Sequence, residues 1–136
     1  MVKTIYAKGE VDVLRGKTVL IVEDDEFIFN LLEVMLKGTG LEILHADSGE
    51  KAIALVNDKT VDLVLLDIRL PGKDGFEVFE QIRMIKRHMP IVAQTANSLP
   101  EEKKKFLAAG YADYLQKPID TMTIHKVILK LIGSRN

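Results

Sequence analysis

Acidic, hydroxyl and basic side chains stand at the points where four short apolar runs of the sequence end. In chain order these side chains are Glu23 with Asp24, then Asp67, Thr95 and Lys117. Carboxylates packed together repel one another unless a proton or a cation intervenes, and Mg²⁺ suits a site of one or two carboxylates and a phosphate. A carboxylate can then attack phosphorus, while a hydroxyl and an ammonium contact the remaining oxygens. These residue types therefore predict phosphoryl transfer with Asp67 as the nucleophile.

The elements that carry these side chains must bring them to one place. Runs rich in β-branched residues alternate with segments of helical periodicity, which predicts strands over residues 18–23, 41–46, 61–67, 91–96 and 112–116. Helices are predicted over residues 25–37 and 75–87, after the caps Ser48 and Asp120, and from a Ser98–Glu101 capping box to Ala109. This alternation predicts an α/β fold, with a parallel sheet covered on both faces. The carboxyl ends of parallel strands meet at one edge, where such sheets bind ligands.

Length and composition exclude several classes of protein. The chain has 136 residues, of which 47% are hydrophobic, as expected for one ordinary domain. It has no cysteine, which excludes disulfide and thiolate chemistry and fits a cytoplasmic location. A net charge of −1 gives no basic field for nucleic acid, and the apolar runs are too short to span a bilayer. Residues 1–16 lie outside the pattern and are interpreted as a linker or N-terminal arm, before a domain over residues 17–136.

Each candidate group also has an ordinary structural interpretation. The acids at 23–26 could favour a helix N-terminus, and Asp67 could only cap a loop. Thr95 could be a strand residue and Lys117 a solvated lysine before a turn. Their shared place at one edge of the predicted sheet favours the chemical interpretation.

Other polar residues are predicted to have no chemical role. The three histidines, at positions 45, 88 and 125, lack the spacing of metal ligands and are expected at the surface or at a strand edge. The lysines at 103–105 are expected to form a solvated helix face, with a signalling surface as the alternative.

The sequence resembles the receiver domains of the two-component response-regulator family from about Lys17 to Gly133. The resemblance rests on four segments in the family order: VLIVEDD, VDLVLLDIRLPGKDG, IVAQTAN and YADYLQKPID. It implies a doubly wound (βα)5, flavodoxin-like fold with strand order 2-1-3-4-5, in which the first and third strands are neighbours.

The resemblance also implies the phosphoacceptor and a magnesium site. Asp67 matches the phosphoacceptor, and Glu23 with Asp24 matches the metal-binding acid pair. Asp67 and the backbone carbonyl of Arg69 would complete the protein ligands of Mg²⁺. The first acid is Glu where Asp is commoner in the family, which lengthens its reach to the metal.

Three further residues match the family's catalytic and switch positions. Lys117 matches the family's lysine, which precedes a proline in a peptide bond that is usually cis. Thr95 matches the switch hydroxyl and Tyr114 the aromatic switch residue. In the family, phosphorylation changes the surface formed by the fourth helix, the fifth strand and the fifth helix. Such a domain assists its own phosphotransfer and dephosphorylation and is not a conventional enzyme.

The implied partners are a histidine kinase, a histidine phosphotransfer protein, or both, and a weak dimer is a further expectation. The stretch RGKTVLIVEDD looks closest to receivers at the C-terminus of hybrid sensor kinases, where residues 1–16 would be linker and the kinase could be membrane-anchored. The alternative is a free-standing single-domain regulator. No effector domain follows Asn136 in this sequence, so neither direct nucleic-acid binding nor membrane binding by this domain is expected.

Two other functions fit the sequence less well. A phosphatase of the haloacid-dehalogenase type also uses an aspartate nucleophile, but it needs a second Asp two residues later, where Arg69 stands. A flavodoxin-like cofactor binder needs a first loop that cradles phosphate, and here that loop is the acidic EDDE.

Overall fold

The computed structural model describes residues 14–70, 72, 75–96 and 99–133, and within them five strands alternate with five helices. The order along the chain is β1 (Thr18–Val22), α1 (Glu26–Met35), β2 (Glu42–Ala46), α2 (Gly49–Asp58), β3 (Leu63–Asp67), α3 (Gly75–Ile85), β4 (Ile91–Thr95), α4 (Pro100–Ala109), β5 (Asp113–Gln116) and α5 (Thr121–Ile132). The predicted α/β alternation is therefore confirmed, with each strand and helix within a few residues of its predicted bounds.

All neighbouring strands are parallel, and their order is β2-β1-β3-β4-β5. Val22 of β1 is aligned with Leu66 of β3, so Glu23 and Asp67 are the next residues at the same edge. Thr95 of β4 is aligned with Gln116 of β5, which directly precedes Lys117. The alignment thus places all the predicted chemical groups along one edge of the sheet.

The sheet separates two apolar clusters. The α2–α4 cluster lies under those three helices and includes Leu20, Val64, Val78, Phe106 and Tyr111. The α1–α5 cluster lies on the other face and includes Leu14, Ile21, Leu65, Leu32 and Ile128. The strands β1, β3 and β4 are buried along their whole length, which explains why their sequences are mostly apolar.

The end of the predicted N-terminal arm contributes to the core. Leu14 is fully buried in the α1–α5 cluster, and its carbonyl oxygen accepts a 3.1 Å hydrogen bond from the Lys17 amide. Burying a leucine side chain contributes about 1.5–3 kcal/mol. Residues 1–13 lie outside the described residues, so the interpretation of the arm applies to them only as a prediction.

The predicted N-caps of α2 and α5 are confirmed. The side chains of Ser48 and Asp120 accept backbone hydrogen bonds at the starts of these helices, and Asp25, which was not predicted as a cap, does the same at the start of α1. The helix start implied by the Ser98–Glu101 capping box is wrong by one residue, because α4 begins at Pro100 with Leu99 as its N-cap. Proline at the first helical position removes one N–H that would need a cap. Ser98 itself lies outside the described residues.

Candidate functional site

The run of acids after β1 divides into a helix cap and a site. Asp25 Oδ1 accepts hydrogen bonds from the amides of Phe27 at 2.9 Å and Ile28 at 3.2 Å, which caps α1. Glu26 lies in the first turn of α1, where a negative charge interacts favourably with the helix dipole. Glu23 and Asp24 precede the cap and are not part of it. The helix-terminus interpretation is thus correct for the last two acids of the run.

Glu23, Asp24 and Asp67 form a cluster of carboxylates. One oxygen from each of the three lies within 4.8 Å of the others, as ligands of a shared cation would. Glu23 is 1% exposed and Asp67 is 4% exposed, whereas Asp24 is open to solvent. Carboxylate oxygens are the ligands that Mg²⁺ prefers, and a half-open site leaves it water and phosphate oxygens. The donor set therefore fits Mg²⁺.

Both carboxylate oxygens of Asp67 have a hydrogen-bond donor. Oδ1 accepts from the backbone amide of Arg69 at 2.9 Å, and Oδ2 accepts from Nζ of Lys117 at 2.9 Å. These two contacts fix the carboxylate at the end of β3. The amide of Arg69 is thus part of the site, and its side chain is exposed, while the predicted role of its carbonyl stays a prediction.

Lys117 bridges the two buried carboxylates. Its Nζ also lies 3.3 Å from Oε1 of Glu23, and its backbone amide donates to the carbonyl oxygen of Thr95 at 2.8 Å. The bond from Lys117 to Pro118 is cis, as expected. Burial lowers the pKa of the ammonium, but hydrogen bonds and attraction to Asp67, followed by those to Glu23, outweigh it and raise that pKa above its usual value. The lysine therefore remains a cation within the site.

The electrostatics of Glu23 reflect its burial. Desolvation and then repulsion from Asp67 raise the pKa of Glu23, while Lys117 and the amide of Asp25 partly offset the rise. The Asp25 amide donates to Glu23 Oε2 at 3.2 Å. A divalent cation would relieve the repulsion, because it attracts both carboxylates.

The structure places the two predicted switch residues at different depths. Thr95 ends β4 at the same edge as Asp67 and is buried. Tyr114 lies one strand away, half-buried against the α2–α4 cluster. Nζ of Lys103 lies 5.3 Å from the centroid of the Tyr114 ring, close enough for a cation–π contact.

The lysines of α4 are not merely a solvated face. Besides the contact of Lys103, Nζ of Lys105 lies 4.9 Å from the centroid of the Phe76 ring. The expectation of a solvated face is therefore incomplete for these two lysines, because aromatic rings from β5 and α3 lie beside them.

The three histidines differ in their environments. His45 lies on the edge strand β2 and His88 is exposed, as expected. The expectation of a surface or strand-edge place is wrong for His125, which is fully buried and donates through Nε2 to the carbonyl oxygen of Met35 at 2.6 Å. Its spacing of three residues from Ile128 on an amphipathic helix was the signal for a buried face.

Sequence reasoning missed one buried amide next to the site. Gln94 is aligned with Asp67 across β3 and β4 and is fully buried. Neither its Nε2 nor its Oε1 has a hydrogen-bond partner among the described residues. The only signal was a polar residue within an apolar strand.

The chain is similar to known receiver domains. A family model described as the response regulator receiver domain matches residues 19–129. The uncharacterized transcriptional regulatory protein YrkP of Bacillus subtilis is 44% identical over 114 residues, which are 83% of this chain and 48% of that protein. The sensor histidine kinase GacS of Pseudomonas protegens is 36% identical over 124 residues, which are 88% of this chain and 14% of that kinase. The chain thus spans about half or less of these relatives.

Solved structures show the same relationship. The receiver domain of the sensor histidine kinase PA1611 from Pseudomonas aeruginosa, with magnesium in its active-site cleft, has a TM-score of 0.79 and 33% identity, covering 88% of this chain and 99% of that one. A co-crystal structure of the Saccharomyces cerevisiae phosphotransfer protein Ypd1 with the receiver domain of Ssk1 has a TM-score of 0.81 and 28% identity, covering 88% and 91%.

Proposed function

Because this chain belongs to the response regulator receiver domains, and is thus a module of two-component signalling, we propose that Asp67 is its phosphoacceptor. The observation that carries the proposal is the environment of the Asp67 carboxylate. It is held by the Arg69 amide and the Lys117 ammonium beside two further acids that can share a cation. A fixed carboxylate, a cation site and an ammonium are the groups that phosphoryl transfer needs.

The chemical step is an attack by a carboxylate oxygen of Asp67 on the phosphorus of the donor. A bond between that oxygen and phosphorus forms as the bond from phosphorus to the donor's nitrogen or oxygen breaks. Mg²⁺, when held by Glu23, Asp24 and Asp67, supplies positive charge to the phosphoryl oxygens. Lys117, whose Nζ lies 2.9 Å from Asp67 Oδ2, supplies a second positive charge. The domain assists this transfer and the later hydrolysis.

The consequence of phosphorylation is a shift between two states. The phosphoryl group adds negative charge at Asp67 and offers oxygens that the hydroxyl of Thr95 can reach from the neighbouring strand. Tyr114 then turns inward, and the surface of α4, β5 and α5 changes its preference among partners.

The proposed donor is a histidine kinase or a histidine phosphotransfer protein. Helix α1 begins beside the acid cluster and exposes an apolar stripe of Phe27, Leu31 and Val34, with Phe27 and Val34 each 68% exposed. An exposed stripe next to the phosphoacceptor suits a docking helix of such a donor. The similarity to the receiver that was crystallised with Ypd1 supports this class of partner.

The relatives include both sensor kinases and transcriptional regulators. We favour the proposal that this chain is the receiver domain of a hybrid sensor kinase and lies in the cytoplasmic part of that kinase. The alternative is a free-standing regulator. A tethered receiver relies on a high effective concentration of its own kinase and needs little affinity in trans. Slow transfer from a panel of separate kinases, with faster exchange with a phosphotransfer domain, is the expected result. Rapid and selective phosphorylation by one unlinked kinase would instead favour the free-standing regulator.

The experiment that tests the acceptor uses Mg²⁺ and acetyl phosphate, with intact mass as the readout. The wild type should gain the mass of one phosphoryl group, and Asp67→Ala should gain none. Asp58→Ala, which changes an exposed acid at the end of α2, is the matched control and should react as the wild type does. A phosphorylated Asp67→Ala protein would show that the acceptor is another residue.

A further inference from the structure

The backbone of Glu23 is attached to the edge strand on both sides of the residue. Strand β1 ends at Val22, and the Glu23 amide makes one more ladder bond, donating to the carbonyl oxygen of Ala46 at 3.0 Å. The carbonyl oxygen of Glu23 lies 2.8 Å from Nε2 of His45. Because a carbonyl oxygen only accepts, this imidazole nitrogen carries the proton. The side chain of His45 thus supplies the donor that a backbone amide of β2 would supply if the pairing of β1 with β2 continued.

His45 is itself fixed by the first helix. Its ring stacks on the ring of Phe29, with centroids 3.8 Å apart and planes inclined by 6°. Phe29 lies in the first turns of α1, and its amide donates to the carbonyl oxygen of Asp25 at 3.0 Å. The imidazole is therefore held between an edge strand and a helix, and it donates to the backbone of the first acid of the site.

The side chain of Glu23 has reason to need this support. A glutamate has one more rotatable bond than an aspartate, so more conformational entropy is lost when its carboxylate is fixed. Its two oxygens contact the Lys117 ammonium at 3.3 Å and the Asp25 amide at 3.2 Å. Both contacts depend on where the Glu23 backbone stands.

We propose that His45 is a positioning residue for Glu23: its hydrogen bond to the Glu23 carbonyl, stabilised by stacking on Phe29, holds that carboxylate in the cluster with Asp24 and Asp67. The role rests on the proposed magnesium-dependent phosphoacceptor function. His45 binds no metal itself, because its Nε2 is directed at a carbonyl oxygen and its ring covers Phe29. A partner that orients a ligand from behind changes metal affinity without touching the metal.

The test compares variants of one strand face at a pH where histidine is neutral. His45→Ala removes the donor, and His45→Gln restores a donor of similar reach. Ile43→Ala is the control, since Ile43 lies two residues earlier on β2, packs on the α1–α5 cluster and is aligned with Val19, four residues before Glu23. Calorimetric titration with Mg²⁺ should give a dissociation constant about two- to tenfold larger for His45→Ala than for the wild type. This is the loss of affinity expected when one hydrogen bond is removed. His45→Gln should recover most of that loss, and Ile43→Ala should bind as the wild type does.

A second readout needs no metal. In the metal-free protein, the amide order parameters of Glu23 and Asp24 should fall in His45→Ala. In Ile43→Ala they should stay at about 0.85, the value of a rigid backbone. Unchanged order parameters in His45→Ala, or an equal loss of Mg²⁺ affinity in Ile43→Ala, would overturn the role. A wild type that binds no Mg²⁺ would overturn the proposed function instead, and the order parameters would still decide the role of His45.

Discussion

The ammonium of Lys117 lies 2.9 Å from Asp67 Oδ2 and 3.3 Å from Glu23 Oε1, so one cation contacts two buried carboxylates and offsets part of their combined charge. The three residues come from the ends of β5, β3 and β1, and Lys117 is 50 positions from Asp67 in the chain. In the absence of a metal ion, this bridge is what allows both acids to be buried side by side.

Replacing Lys117 by methionine should therefore destabilise the metal-free protein by up to about 3 kcal/mol, because two buried carboxylates lose their counter-charge. Added Mg²⁺ should recover part of the loss, since it replaces that charge. Urea unfolding with and without Mg²⁺ measures both effects. Lys130→Met is the control, since its 2.6 Å pair with Asp113 has a largely exposed lysine and should change stability by less than about 1 kcal/mol. Equal losses in the two variants, unaffected by Mg²⁺, would argue against the bridge.

Asp24→Asn should weaken Mg²⁺ binding, because it removes one of the three carboxylates of the cluster. The same change relieves repulsion, so the metal-free protein should become slightly more stable. Titration calorimetry and thermal unfolding check the two effects. Asp25→Asn is a close control: asparagine also caps helices well, and residue 25 lies outside the cluster. Similar Mg²⁺ affinities for Asp24→Asn and the wild type would remove Asp24 from the site.

The components of the candidate site could be predicted because each of them ends a strand. A parallel sheet brings the carboxyl ends of its strands to one edge, so Asp67, Thr95 and Lys117 had to be neighbours once the strands were recognised. The N-cap Asp25 was not predicted, because a run of four acids does not indicate which of them caps the helix.

The hydrogen bonds of the site that the sequence did not reveal involve backbone atoms. The amide of Arg69 holds Asp67 whatever side chain residue 69 carries, so its identity gave no signal. The bond of His45 to Glu23 exists because β2 pairs His45 with Ile21, and no local pattern fixes that pairing. The start of α4 was predicted one residue too early, since proline can begin a helix one residue later than a serine cap would.

Thr95→Ala should still permit phosphorylation, yet it should uncouple Asp67 from Tyr114, because no hydroxyl remains on β4 to bond the new oxygens. Amide chemical shifts of β5 and α5 with and without beryllofluoride, a phosphoryl mimic, measure the coupling. Thr60→Ala, at an exposed position before β3, is the control and should respond as the wild type does. Wild-type shifts at Tyr114 in Thr95→Ala would exclude Thr95 from the switch.

Gln94→Met should stabilise the metal-free protein by about 1–3 kcal/mol, the usual cost of burying a polar group without a partner. Methionine is close to glutamine in shape, so the packing should be preserved. Chemical denaturation measures the difference, and Gln116→Met, on the exposed end of β5, should stay within about 0.5 kcal/mol of the wild type. A clear loss of stability in Gln94→Met would mean that the amide is hydrogen-bonded in solution.

The buried His125 should make stability depend on pH. Burial lowers its pKa below the usual 6.5, with the hydrogen bond to Met35 opposing the change. The unfolded chain therefore binds a proton first as the pH falls, so the stability contribution is complete above about pH 6.5 and is lost below it. As the pH falls below about 6.5, the midpoint of thermal unfolding should fall less in His125→Gln than in the wild type. The control His88→Gln, at an exposed position, should follow the wild type. Identical profiles for all three proteins would contradict this assignment.

The separation of the two apolar clusters has a consequence for how such a module diverges. Within the described residues, the interior side of α1 packs only into the α1–α5 cluster, while Tyr114 and α4 pack into the α2–α4 cluster across the sheet. Substitutions in α1 that favour a new donor can therefore change the packing of the α1–α5 cluster, and they leave the environment of Tyr114 on the other face of the sheet intact. Duplicated copies of the module can therefore change their donor while they keep the packing of Tyr114 and α4.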